Sequence, residues 1–527
     1  MTITIEKKYI AIPINNHAVS KKLCFWEEAP DRELVMDFDC KLDAVKPQYV
    51  SYIDVSRYRG KTLICDSVPH MEFTLTQCDE KALDGLYREE YRPMVHFTPQ
   101  IGWLNDPNGM ICYHGVYHMF YQYNPCGTEW GNMHWGHAVS RDLLHWEEKD
   151  IALFPDEMGT MYSGSAIEDL GNVTGLGTGE TGPMLLFYTA AGDRTLLSAG
   201  KCRTQCLAYS NDGGETFVKY RGNPILGKVE SYNRDPKIVW VEEIGKYLMA
   251  LYLAEDRYGL FTSENLLDWS LLQELRIANE SECPDLYCFR LSGKSYWVLI
   301  GASDKYLVGV FKGGRFVPQT QERQLCYSPF NYAGQSFSGM QDGRVIRMTW
   351  EKLKMPCVRV PNQMSIPMEM KLRAGEMGCY LTAYPIAEIS QLYADTQELV
   401  GQRLEAPIEL PLERAAYDIR LITEYGAGMT LELFGHTLRI DTQENCVAFG
   451  KLRIPISGDR ERVDIRVIAD SCSLEVFADE GRFYATLYAV CDYNLPYLRL
   501  TAQENGTLLK TLTCHRLASI HGEVENV

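Results

Sequence analysis

No apolar run in the 527-residue sequence is long enough to span a bilayer. The opening "MTITIEKKYIAIPINNH" lacks the charged and then apolar pattern of an export signal. Basic runs are also missing: 52 Lys and Arg stand against 70 Asp and Glu, a formal net charge of −18. That balance disfavours nucleic acid and anionic membrane as partners and suits a neutral or cationic ligand. The 17 cysteines include no C-x-x-C pair, and Cys202 and Cys206 have the wrong spacing for a zinc knuckle. Thiols without an export signal point to a reducing interior, so a cytoplasmic location is expected. The glycines of "GLGTGETG" (175–182) lack the Lys-Ser/Thr ending of a phosphate loop, and there is no dinucleotide fingerprint. His118, His134 and His137 lie among strand aromatics and read as packing or hydrogen-bonding residues. Neither metal nor cofactor is expected.

Long stretches of 3.6-residue period are nearly absent too; "YPIAEISQLYADTQELV" (384–400) is the clearest helical candidate. What is present is strand patterning. "YIAIPI", "KTLICDSV", "GPMLLFYTAA", "KYLMALYLA", "SYWVLIGAS", "RVIRMTW" and "CSLEVFAD" are short β-branched and aromatic runs separated by Gly, Asp and Asn turns. A weak repeat organises the middle: "SRDLLHW" (140–146), "SNDGGETF" (210–217) and "SENLLDW" (263–269) each join a Ser-x-Asp/Asn turn to an aromatic that opens the next strand. Recurrence every 50 to 70 residues suits four-stranded propeller blades, and about 285 residues between positions 95 and 380 accommodate five. The expected fold is all-β: a small N-terminal β domain (1–92), a five-bladed propeller (93–385), a linker with the helical candidate (386–401) and a C-terminal β-sandwich (402–527).

Three acidic motifs share one context within the propeller region. "GWLNDPNGM" holds Asp106, "NRDPKI" holds Asp235 beside Arg234, and "SECPDLY" holds Glu282 beside Cys283, each with a proline nearby and a strand following. Singly, these read as a turn residue, an ion pair and a solvated turn. Together they suggest more, because the innermost strand of each blade lines a propeller's channel and can bring such residues to its mouth. Three carboxylates in one pocket suit glycoside cleavage, in which one attacks and another, with a pKa raised by crowding and burial, protonates the leaving oxygen.

Here the sequence closely resembles glycoside hydrolase family 32, the invertase, levanase and inulinase group. "WLNDPNG", "RDP" and "ECPDL" look like that family's three acidic motifs, and "YSGSA" (162–166) looks like its Phe-Ser-Gly-Ser element. The match is strong over about 93–380, weaker at "CSLEVFADEGRFY", and leaves the first 90 residues outside the common core. The resemblance implies a retaining, exo-acting β-fructofuranosidase acting on terminal β-D-fructosyl residues of sucrose and of inulin- or levan-type oligosaccharides. Asp106 would be the nucleophile, Glu282 the acid/base, and Asp235 with Arg234 would stabilise the transition state. Asn105, Gln122, Trp130, Tyr162, Ser163, Tyr332 and Trp350 would bind the sugar, and Cys283 would tune Glu282. Tyr162 replaces the family's usual Phe, which bears on the leaving-group side. A fructosyltransferase on the same fold, a non-catalytic fructan-binding propeller and an arabinan-cleaving propeller remain alternatives. The N-terminal segment has three open roles: shaping the pocket rim, binding sugar, or forming a homo-oligomer.

Overall fold

The computed structural model describes residues 1–28, 32–70, 72–426, 428–458, 461–504 and 506–522. Strands make up almost all of its regular structure. The N-terminal segment forms a four-stranded sheet in the order Thr2–Thr4, Thr62–Val68, Lys21–Glu27, Glu33–Cys40, and a three-stranded sheet of Tyr49–Asp54, Tyr9–Ile14 and Thr76–Cys78. Ile10, Ile12, Leu23, Phe25 and Phe38 close a core between them, and Ile101 and Cys126 of the next region pack into the same core. Side chains alternating inward along each strand explain why these short runs fold as paired sheets.

Five sheets follow, opening on strands Trp103–Tyr113, Thr160–Glu168, Arg234–Val241, Asp285–Leu291 and Asn331–Ser336. These opening strands meet in a ring. Ser163 Oγ of the second donates to Asp106 of the first, and Ser165 Oγ donates to Pro236 O while accepting from Ile238 N of the third. Lys237 Nζ pairs with Asp285 of the fourth sheet at 2.9 Å and donates to Ser336 O of the fifth, whose own N–H reaches Asp285. Ser338 N then donates to Met110 O, which closes the circle onto the first sheet. The result is a five-bladed propeller whose channel strands are tied by buried polar contacts.

The Ser-x-Asp/Asn repeats occupy the turn after the third strand in each of the first three blades, following His134–Ser140, Arg203–Ser210 and Arg257–Ser263. Ser140 Oγ caps Leu143 N at 2.9 Å and Ser263 Oγ caps Leu266 N at 2.8 Å, which lets both leucines take positive φ. Trp146, Phe217 and Trp269 each stand immediately before the fourth strand.

The C-terminal region is two six-stranded sheets with an apolar interior that includes Leu431, Val447, Val467, Val476 and Leu512. The helix expected over 384–400 does not form. Ile386, Ile389 and Leu392 do bury on one side of a short 3₁₀ segment, Ala387–Leu392. Tyr393–Leu404 then extends as a strand along Thr507–Leu517. Ten ladder pairs with a distant strand outweigh a weak helical period.

Propeller and sandwich share a buried charge cluster. His96 Nδ1 lies 2.8 Å from Asp470 and its Nε2 3.4 Å from Glu475, with Glu351 close by. Burial opposes a charge on His96, but Asp470 and Glu475 outweigh it and hold the imidazole well above its ordinary 6.5. The Asp470 carboxylate also accepts Met94 N and Val95 N, so the segment leading into the first blade is fixed from the sandwich.

Candidate active site

Asp106, Ser163, Asp235 and Tyr332 lie near the start of the opening strands of blades one, two, three and five, and Glu282 lies three residues before the opening strand of blade four. Local irregularity aims three of them. The ladder slips between Leu104 and Pro107, Tyr162 and Gly164, and Arg234 and Lys237, at Asp106, Ser163 and Asp235, whereas Tyr332 pairs regularly with Trp350 just before a fourth slip. An extra residue at such a bulge turns its side chain out of the sheet's alternation. Asp235, Glu282 and Cys283 additionally take positive φ, at 64°, 59° and 37°. Non-glycine residues rarely hold that conformation unless their surroundings over-determine it. Gly164 is required for a different reason: a Cβ there would stand 1.8 Å from Phe187 O, so the Ser163 bulge has room for no side chain at its next position.

Asp106 is only 8% exposed. Its Oδ2 accepts Ser163 Oγ at 2.5 Å and its Oδ1 accepts Asn105 Nδ2 at 3.1 Å. Asn105 is held by Trp103 Nε1 at 2.8 Å and Gln122 at 2.9 Å, and Gln122 Nε2 reaches Ser163 Oγ at 2.6 Å. The carboxylate is thus oriented by a closed polar network. The Cys283 thiol links it to the second acid: Sγ lies 3.4 Å from Asp106 Oδ2 and 3.4 Å from Asp235 Oδ2. Cys283 N donates to Asp235 Oδ2 at 3.1 Å, and Arg234 Nε stands 3.7 Å from the same oxygen. The Arg234 guanidinium, over the ring of Tyr252, also donates to Glu282 Oε1. The other Glu282 oxygen accepts Tyr332 OH at 2.7 Å.

Burial raises Asp106, with Ser163 and Asn105 working against the rise. Burial also raises Asp235, against the pull of Arg234, to about 7. Glu282 runs the other way. Burial works to raise it, but Arg234, Tyr332 and Lys352 together leave it below the ordinary carboxylate value. The expectation of a raised Glu282 is therefore overturned for the substrate-free site, because the guanidinium sits on that carboxylate. Asp106 and Asp235 are the raised acids, Asp235 to about 7. Burial and the two aspartates push the Cys283 thiol well up, so it stays an S–H donor.

Asn105, Gln122, Ser163, Arg234, Tyr332 and Cys283 thus meet the three acids directly or through one hydrogen bond. Trp350 packs edge-on to Trp103 at 5.7 Å and Tyr332 at 6.3 Å, and its buried Nε1 has no partner. Trp130 is 49% exposed, its ring 6.0 Å from that of Tyr162. Two residues escaped sequence reasoning. Thr189 Oγ1 accepts Asp235 N at 2.9 Å, and Lys352 stands 4.0 Å over the Tyr332 ring. No local motif marks either one. Among the described residues, the buried group with metal-ligand spacing is His96, Glu351 and Glu475, away from this site.

Residues 96–382 match the family described as "Glycosyl hydrolases family 32 N-terminal domain". The chain belongs to glycosyl hydrolase family 32. It is similar to a levanase of Bacillus subtilis (strain 168), 32% identical over 509 residues, covering 85% of this chain and 74% of the relative. It is also similar to an extracellular exo-inulinase of Aspergillus awamori, 34% identical over 54% of this chain and 63% of that protein. The crystal structure of the Aspergillus awamori exo-inulinase superposes with a TM-score of 0.73 at 25% identity, over 82% of this chain and 99% of that one. A Schwanniomyces occidentalis fructofuranosidase variant complexed with fructosylnystose shares the fold, with a TM-score of 0.73 at 24% identity over 84% of this chain and 100% of its own. Among the described residues no helix is long and apolar enough to cross a membrane.

Proposed function

We propose that this family 32 chain is a retaining, exo-acting β-fructofuranosidase, releasing terminal non-reducing β-D-fructosyl residues from sucrose and from inulin- or levan-type fructo-oligosaccharides. The observation that carries this reading is the gathering of Asp106, Asp235 and Glu282 around one thiol and one guanidinium. The relatives named levanase and exo-inulinase support the substrate class.

In the reaction, an Asp106 oxygen attacks the fructosyl anomeric carbon while the bond from that carbon to the leaving oxygen breaks. Glu282 passes its proton to that oxygen, and the leaving sugar departs as an alcohol. Glu282 then takes a proton from water, whose oxygen displaces Asp106 and frees fructose. Asp235 holds sugar hydroxyls and its carboxylate balances the positive charge that develops at the ring, with Arg234 supporting that carboxylate. The substrate-free site stores its proton on Asp235, raised to about 7, while Arg234 keeps Glu282 ionised. Sugar hydroxyls that draw the guanidinium away from Glu282 raise that carboxyl, which then takes the proton that Asp235 gives up, leaving Asp235 ionised and Glu282 ready to protonate the leaving oxygen.

All 17 cysteines are free thiols, which supports a reducing, cytoplasmic setting, although the exo-inulinase relatives are named extracellular. The products formed from sucrose, 1-kestose and levanbiose test the activity. Free fructose should dominate from the start. Products larger than the substrate at high sucrose would make the chain a transferase, and binding without turnover would make it a sugar-binding protein.

A further inference from the structure

The N-terminal module's edge strand Glu33–Cys40 holds two propeller loops, one of which reaches Tyr162, the neighbour of Ser163. Asp37 has a fully buried side chain, with Lys22 as its counter-charge at 3.4 Å. Its two carboxylate oxygens accept Leu196 N at 3.0 Å and Leu197 N at 3.2 Å. These belong to the 192–200 loop of the second blade, which carries Arg194. Leu196 is itself 50% exposed, so apolar packing anchors that side of the loop poorly and the charged hydrogen bonds locate it.

Two residues further along the strand, the Asn132 amide pairs with the backbone of Asp39 as another strand would. Asp39 N donates to Asn132 Oδ1 at 2.8 Å, and Asn132 Nδ2 donates to Asp39 O at 2.7 Å. Lys41 pairs with Glu129 at 2.5 Å, and Thr128 Oγ1 donates to Asn16 Oδ1 at 3.1 Å. This second loop, 124–133, carries Trp130. The Arg194 guanidinium lies 6.0 Å from the centre of the Trp130 ring, whose other neighbour, Tyr162, directly precedes Ser163. The exposed indole is therefore placed by two loops, and both are held by one strand of the N-terminal module.

We propose that the N-terminal module is a specificity element of the sugar site: through Asp37 and the Asn132–Asp39 pair it positions Trp130 and Arg194 against the sugar that leaves with the cleaved bond. The inference rests on the fructosidase reading and adds the part of the substrate that the first 90 residues read. Asp37 is a positioning residue; it touches no substrate.

The test uses the full chain with Asp37→Ala, Asp37→Asn, Trp130→Ala and the Asp37→Ala/Trp130→Ala double variant, on sucrose, 1-kestose and methyl β-D-fructofuranoside. The methyl fructoside carries no leaving sugar. Asp37→Ala should raise KM for sucrose and 1-kestose about fivefold or more, with kcat within about twofold, and leave KM for the methyl fructoside unchanged. Asp37→Asn, which keeps a carbonyl oxygen for one of the two N–H groups, should fall between. The double variant should lose no more than Trp130→Ala alone. KM does not depend on how much of a preparation is folded, so reduced stability alone cannot imitate this pattern. Equal KM changes on all three substrates, additive losses in the double variant, or an unchanged KM for sucrose would overturn the inference. A wild-type chain that releases no fructose from any of the three would instead remove the fructosidase reading beneath it.

Discussion

The Ser163 hydroxyl, from the second blade, donates to Oδ2 of Asp106, from the first, at 2.5 Å. A neutral donor on an ionised oxygen favours the ionised carboxylate, the form the proposed attack needs, against the burial that raises its pKa. Ser163→Ala should therefore lower kcat/KM for sucrose roughly 10- to 100-fold, the loss expected for one hydrogen bond to a charged group. Initial rates of fructose release measure it. A variant within twofold of the wild type would leave Ser163 a packing residue.

The pH profile is set by the displaced proton. Asp235 is raised by burial to about 7, so the substrate-free cluster holds a transferable proton below that pH and loses it above. kcat/KM reports free-enzyme ionisations. It should fall as pH rises through about 7, with a limb belonging to the coupled cluster as a whole. A value of kcat/KM that stays flat from about pH 6 to 9 would show that the cluster proton is not the one delivered.

His96 tests the seam between propeller and sandwich. Its folded pKa lies well above 6.5, so its charge stabilises the fold in full below pH 6.5 and is lost only as pH rises through the higher folded value. His96→Ala leaves Asp470 and Glu475 buried without their counter-charge and should cost about 3–5 kcal/mol near neutral pH. A thermal melt reads this as a clear drop in Tm. An unchanged Tm would mean the carboxylates are neutralised some other way.

Much of the site was legible because its chemistry rides on short motifs. Asp106, Asp235 and Glu282 share an acid–proline–strand context: the first two lie in the opening strands of their blades and Glu282 three residues before one. Ser140, Ser210 and Ser263 marked the blades because a capped turn after the third strand needs a hydroxyl there. The features that escaped depend on long-range partners. The bulges that aim Asp106, Ser163 and Asp235 exist only against a neighbouring strand. The low pKa of Glu282 comes from Arg234, 48 positions away in the chain. The apolar spacing of Ile386, Ile389 and Leu392 read as helix, but the stretch from Tyr393 to Leu404 pairs with a strand more than a hundred residues later. The work of Asp37 was equally hidden, since the loop it caps lies 159 residues on.

The proposed activity requires two carboxylates with separate duties at one anomeric carbon. Steady-state fructose release from sucrose by folded Asp106→Asn and Glu282→Gln measures this most directly. Each variant should fall by about 10²–10⁴-fold in kcat while keeping a wild-type melting profile. Turnover by either variant within tenfold of the wild type would contradict the claim.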